Sequence, residues 1–133
     1  MSYSIAEAAE RTGLSMDTLR YYERIGLIEP PVRDSGGRRS YSEEDLGWVG
    51  FLSCLRMTGM PIRLMCEYAR LRHFGTSSAT SRKEILLEQR TAVRERIAEL
   101  QMCLSTLDYK IDNYEMVERR VAELTPLAQE ATA

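Results

Sequence analysis

From about Thr80 to Val121 the chain contains neither glycine nor proline, and a run of that length and composition is expected as one long helix. Leu86, Val93, Ile97, Leu100, Leu104, Leu107, Ile111, Tyr114 and Val121 recur along it at alternating spacings of three and four, with Arg90 and Glu118 interrupting the seam near its ends. At 1.5 Å per residue such a helix would be roughly 60 Å long. A heptad seam on so long a rod needs a covering partner. The 133 residues leave room for one ordinary domain besides the rod, so the second strand is expected from another copy of the chain. The spacing leaves parallel and antiparallel pairing open.

The segment before the rod is punctuated by caps and breakers. Tyr3 begins a brief extended segment, and Ser4 with Glu7 forms an S-x-x-E capping box before Ile5, Ala8, Ala9 and Leu14, predicting a two-turn helix that ends at Gly13. Ser15 is a good N-cap for a second helix, Asp17 suits the positive end of its dipole, and Gly26 suits its left-handed stop. Leu19 and Ile25 supply its inner face. Met16, Asp17, Arg20, Tyr21 and Arg24 fall at its leading end or on its outer face, where an arginine could make bidentate hydrogen bonds to a guanine edge or a phosphate. Two short helices joined by a glycine-containing turn read as a helix-turn-helix or as a plain helical hairpin.

The next residues separate those readings. Prolines 30 and 31 end the helix, and the chain then runs extended, turns at Asp34-Ser-Gly-Gly37 and extends again to Tyr41, which predicts a small hairpin rimmed by Arg33, Arg38, Arg39 and Tyr41. Such a hairpin after a helix-turn-helix is a wing, and cations on it are placed to track a phosphate backbone. Ser42 caps a third helix carrying Leu46, Val49, Phe51, Leu52, Leu55 and Met57. Thr58-Gly59 breaks it, and Pro61 opens a fourth helix through Met65, Tyr68 and Leu71 that ends near Phe74-Gly75. The boundaries expected are a winged head over 1–75, a polar linker over 76–81, the dimerisation helix over 82–121 and a flexible tail over 122–133.

The net charge of −2 argues against indiscriminate binding to nucleic acid and leaves that work to a local cationic patch. The absence of an apolar run of 18 or more, and of a basic-then-apolar leader, points to a soluble cytoplasmic protein. Three widely spaced cysteines, Cys54, Cys66 and Cys103, do not read as a disulfide framework. Paired carboxylates, a Ser/His/Asp set, a phosphate-cradling glycine loop and a metal-ligand cluster are all missing at useful spacing. Neither an enzyme nor a cofactor is expected.

In order along the chain, Tyr3-Ser-Ile-Ala-Glu-Ala-Ala, Thr12-Gly-Leu-Ser, Thr18-Leu-Arg-Tyr-Tyr-Glu, Gly26-Leu-Ile, Arg39-Ser-Tyr and Glu44-Asp-Leu resemble the characteristic residues of the MerR family of bacterial transcription regulators. The resemblance covers residues 3 to 75. It implies a mainly α-helical protein with a winged head, two further helices and a long helix that forms an antiparallel coiled coil in a homodimer. It also implies binding to an inverted repeat in an overlong promoter spacer, with activation by distorting that spacer for RNA polymerase. Carried over by motif, Met16, Asp17, Arg20 and Tyr21 belong to the recognition helix, and Arg38, Arg39 and Tyr41 to the wing. Arg63 is a further phosphate contact, and Val93, Ile97, Leu100, Leu104, Leu107, Ile111 and Tyr114 are the dimer seam.

Metal-sensing members carry a cysteine at the start of the dimerisation helix and more after it. That helix begins Thr-Ser-Arg-Lys-Glu-Ile here and is followed by no cysteine or histidine, so no metal site is expected, and the lone His73 reads as a surface or core residue. The short subgroup with Phe51-Leu-Ser-Cys-Leu-Arg-Met-Thr-Gly-Met60 resembles regulators of aldehyde, electrophile or nitrosative stress, for which a thiol at the position of Cys54 has been proposed as sensor. The helical neighbours of Cys54 three and four residues away carry no cation, whereas Cys66 has Arg63 and Arg70 at those spacings, the arrangement that favours a thiolate. Both are candidate sensor thiols, with burial as small apolar residues the alternative. A non-thiol cue, and a protein-binding adaptor in place of a DNA binder, also remain open.

Overall fold

The computed structural model describes the backbone of residues 1–132 and the side chains through Thr125. A compact unit spans Met1–Arg90, and the chain from Thr91 onward forms a second one.

In the first unit the elements are β1 (Ser2–Tyr3), α1 (Ile5–Thr12), α2 (Met16–Arg24), β2 (Val32–Arg33), β3 (Arg39–Ser42), α3 (Glu43–Met57) and α4 (Ile62–Arg72). The helix starts follow the capping chemistry. Ser4 Oγ accepts from the Glu7 amide while the Glu7 carboxylate accepts from the Ser4 amide, and Ser42 with Asp45 repeats the device at the head of α3. Ser15 Oγ accepts from the Thr18 amide to begin α2. Gly13 ends α1 at φ 75°, a left-handed conformation that a side chain at this position would strain.

The three strands form an antiparallel sheet in the order β1-β3-β2, with Tyr3 opposite Tyr41 and Arg33 opposite Arg39. The hairpin turn is held by Asp34, whose side chain accepts from the Gly36 and Arg38 amides, the local bonding that makes aspartate a turn former. α1 packs on α2 and α3, and the core between them and the sheet includes Leu19, Leu27, Tyr41, Leu52, Met60 and Met65. Trp48 and Phe51 pack against that core from its edge, and the Trp48 indole donates to the Leu27 carbonyl at 2.9 Å. That bond ties α3 to the chain leaving α2. Met57, expected on an apolar side of α3, is exposed.

The polar stretch expected as a linker over 76–81 is ordered. Gly75–Ser78 forms a 3-10 turn, and α5 (Ala79–Thr132) begins directly after it. The Ser78 hydroxyl is buried, donates to the Leu71 and Gly75 carbonyls and accepts from Arg82 Nε. Serines and a glycine thus supply the hydrogen bonds of a tight joint in place of those of a free coil. The compact unit also takes in the opening turns of α5, where Ile85 and Leu86 pack against the core and Gln89 donates to the Thr58 carbonyl and hydroxyl.

From Thr91 on, α5 is described by itself. Val93 is half-buried, and Ile97, Leu100, Leu104, Leu107, Ile111 and Tyr114 are each at least half exposed in the single chain. Helix was expected to stop at 121 and a tail to follow over 122–133, yet helical backbone continues through Thr132. Val117, Val121 and Leu124 carry the three-and-four spacing onward from Tyr114, so the apolar stripe that favours helix does not end at Glu118. Ala133, and the side chains from 126 on, lie outside the described residues.

Candidate nucleic-acid interface

The outer face of α2 combines cations with exposed apolar surface. Leu19 and Tyr22 are buried, which turns Met16, Asp17, Arg20, Tyr21 and Arg24 to solvent. Arg20 reaches Asp17 at 3.1 Å, with both side chains well exposed. An ion pair of that kind contributes at most about 1 kcal/mol, so Arg20 is readily released to another acceptor. The Arg24 guanidinium lies 5.4 Å from the Tyr21 ring centre, a cation–π contact that gives this face an ordered aromatic next to its charge.

The wing divides its arginines between two tasks. Arg38 is exposed at the turn, and Arg33 is exposed while donating to the Gly37 carbonyl at 2.9 Å. Arg39 was expected on the same rim. It instead turns inward, its Nε 2.6 Å from Glu23 Oε2 of α2, with the arginine side chain 24% and the carboxylate 14% exposed. Tyr41, also expected on the rim, is a correction of the same kind. Alternation along β3 puts its side chain on the core face, where it is 1% exposed and its hydroxyl is buried without a hydrogen-bond partner. Burial pushes its pKa up, with Arg39 opposing and Glu23 reinforcing that shift. A buried hydroxyl left unpaired costs about 1–3 kcal/mol.

The remaining candidates are spread over the head. Arg63 is exposed in the first turn of α4. His73 is exposed, lies 3.3 Å from Glu29 and borders an open cavity of about 450 Å³ that Tyr41 and Trp48 also line. Its place is thus on the surface. Cys54 is exposed and Cys66 half-buried. One of the two cations expected beside Cys66 is already engaged, since Arg70 makes two hydrogen bonds to Glu67 at 2.7 and 3.2 Å. Spacing along one helix could not reveal that competition. Glu23 is the residue that sequence reasoning passed over. Its signal was available in the Tyr-Tyr-Glu run beside an outer cationic face, but its partner lies 16 residues on, across a hairpin.

A helix-turn-helix whose second helix stands beside a cationic hairpin defines a winged DNA-binding head. Residues 4–41 match the MerR family regulatory protein model. The chain is 42% identical over 92 residues to the HTH-type transcriptional regulator AdhR of Bacillus subtilis, a match spanning 69% of this chain and 66% of that protein, so about a third of AdhR lies outside it. Among solved structures it is similar to a putative MerR family transcriptional regulator from Listeria monocytogenes, with a TM-score of 0.84, 40% identity, and coverage of 96% of this chain and 98% of that one. It is also similar to HiNmlR, a MerR family regulator lacking the sensor domain and bound to promoter DNA, with a TM-score of 0.82, 35% identity, and coverage of 89% and 94%. The chain belongs to the MerR family of transcription regulators.

Proposed function

We propose that this regulator binds an inverted-repeat operator as a homodimer and activates transcription by distorting the promoter spacer for RNA polymerase. The observation that carries the reading is the outer face of α2, where Arg20, Tyr21 and Arg24 stand exposed on a helix whose opposite side is buried. One such helix per half-site, two copies and two-fold symmetry make an inverted repeat the matching target. The half-exposed stripe from Ile97 to Tyr114 is the surface on which a second copy would pair, antiparallel as in the family pattern. That HiNmlR was solved on promoter DNA supports the same target class here. Bending DNA over a site of this size costs several kcal/mol, so a small shift between the two copies suffices to change promoter geometry. Arg38 and Arg63 are the phosphate contacts in this reading. Cys54 is its sensor candidate for a reactive aldehyde or other electrophile, because it is exposed on α3 and therefore open to attack.

A salt-dependent gel-shift titration against the gene's own upstream region tests the DNA reading. Arg20→Ala is expected to cost about 1–3 kcal/mol on the operator and to relax sequence preference, while Arg38→Ala weakens operator and random DNA alike and lowers the salt slope by about one. Equal losses on both DNAs for both variants would remove these roles. For the signal, Cys54→Ser is expected to keep operator binding and to lose aldehyde-dependent reporter induction. Full induction by that variant sinks the thiol.

A further inference from the structure

We propose that Glu23 is a specificity-determining residue that withholds the Arg39 charge from DNA while bracing the wing against the recognition helix. The inference rests on the DNA-binding reading above. Among the described residues the other carboxylate–guanidinium pairs, Arg20–Asp17, Arg70–Glu67 and Arg96–Glu99, each lie within one helix and well exposed. Arg39–Glu23 joins β3 to α2, is the shortest of the set at 2.6 Å, and is the least exposed on both sides.

The consequence follows from counterion release. Each phosphate that a protein neutralises adds about 0.9 to the slope of log affinity against log salt, and does so on any sequence. An unpaired arginine next to Arg38 on the wing would therefore raise affinity for all DNA and dilute what α2 reads at base edges. Held by Glu23, Arg39 adds no net charge to the face. The same bond ties the base of β3 to the last turn of α2, so the wing and the base-reading side chains move together. Tyr41, two residues beyond Arg39 and so on the same face of β3, is buried in the core and anchors the strand beside the ion pair.

The test uses the full-length protein, a duplex carrying the operator footprinted upstream of its own gene, and a random duplex of equal length. Affinity is measured against salt for the wild type, Glu23→Gln and the charge-balanced double variant Glu23→Gln/Arg39→Gln, with circular dichroism to verify folding. Glu23→Gln is expected to steepen the slope on random DNA by about one per protomer and to lower the operator-to-random ratio severalfold. The double variant is expected to return the slope to the wild-type value, since a pair without net charge has been replaced by one without charge. A Glu23→Gln slope equal to wild type overturns the proposal. So does a double variant whose slope is shallower than wild type by about one per protomer, because Arg39 would then be a phosphate contact in the native complex. If Glu23→Gln fails to fold, the double variant still decides whether Arg39 neutralises a phosphate in the native complex, and a slope shallower than wild type overturns the proposal. A wild type with no operator preference would instead fail the DNA reading itself.

Discussion

Leu52 of α3 and Leu104 of α5 are the same residue type on regular helix, yet Leu52 is wholly buried and Leu104 is 56% exposed in the single chain. The unit from Met1 to Arg90 closes a core from short helices, a small sheet and the opening turns of α5. From Thr91 through Thr125 no side chain is buried and one, Val93, is half-buried. The same hydrophobic driving force thus acts within the chain in one region and leaves an uncovered apolar stripe in the other, the surface proposed to pair with a second copy. What differs is connectivity. Turns at Gly13, Gly26 and Gly59 fold the head back on itself, whereas Thr91 to Thr125 contains no glycine or proline to bring one apolar face against another.

That contrast breaks most sharply at the seam. Leu100→Glu/Leu107→Glu is expected to convert a dimer to a monomer in sedimentation or light-scattering measurements, and to weaken operator binding by roughly 100-fold or more as two linked half-site contacts become separate ones. Near-UV circular dichroism of the head should be unchanged, because neither residue is in its core. A variant that remains dimeric would show that the stripe is not the pairing surface.

Next in size is truncation inside the head. Leu52→Ala should lower unfolding free energy by about 2–5 kcal/mol, the range for a leucine removed from a packed core, and by the same amount at every protein concentration. Leu104→Ala should instead alter a melting temperature that varies with concentration, as for any stability supplied by a second copy. Concentration-independent melting for both variants would erase the distinction between the two regions.

How far the sequence disclosed this arrangement depended on the range over which its signals act. Caps are local, so Ser4 with Glu7, Ser15, and Ser42 located the starts of three helices, and the three-and-four spacing revealed the rod. The joint at 75–81 was legible only as a polar linker because serine and glycine are equally at home in coil and in a 3-10 turn, and only the contacts of Ser78 with Leu71 and Arg82 distinguish them. On the wing, the run Arg38-Arg39-Ser-Tyr41 reads as a cationic rim, but alternation along β3 and the distant carboxylate of Glu23 take Arg39 and Tyr41 away from it. Local composition gave the type of surface, and tertiary partners decided which side chains remain on it.

Tyr41 provides a smaller test of the self-sufficient head. Its ring is packed in the core and its hydroxyl is the buried side-chain polar atom without a partner among the described residues. Tyr41→Phe keeps the ring and removes the hydroxyl, so the head should gain about 1 kcal/mol in denaturant unfolding. A loss of stability would mean that the hydroxyl contributes a favourable bond in solution.

The smallest expected effect concerns the head's surface charge. Arg70 holds the Glu67 carboxyl below the usual carboxylate range, chiefly through its hydrogen bonds, while desolvation opposes the shift and the Arg70 charge adds a smaller lowering. Because the folded-state value is the lower one, the pair's contribution is present above the unfolded carboxylate pKa. It is lost as pH falls through the depressed folded value. Both side chains are about half exposed, so solvent screens the interaction and added salt should shrink it further. Glu67→Gln should therefore melt slightly below wild type at neutral pH and low salt, with the gap closing as the solution is acidified past the carboxylate range. A gap that persists at acid pH would assign the effect to the packing of the Glu67 stem on α4, and the head's stability would then rest on apolar burial with no measurable share from this pair.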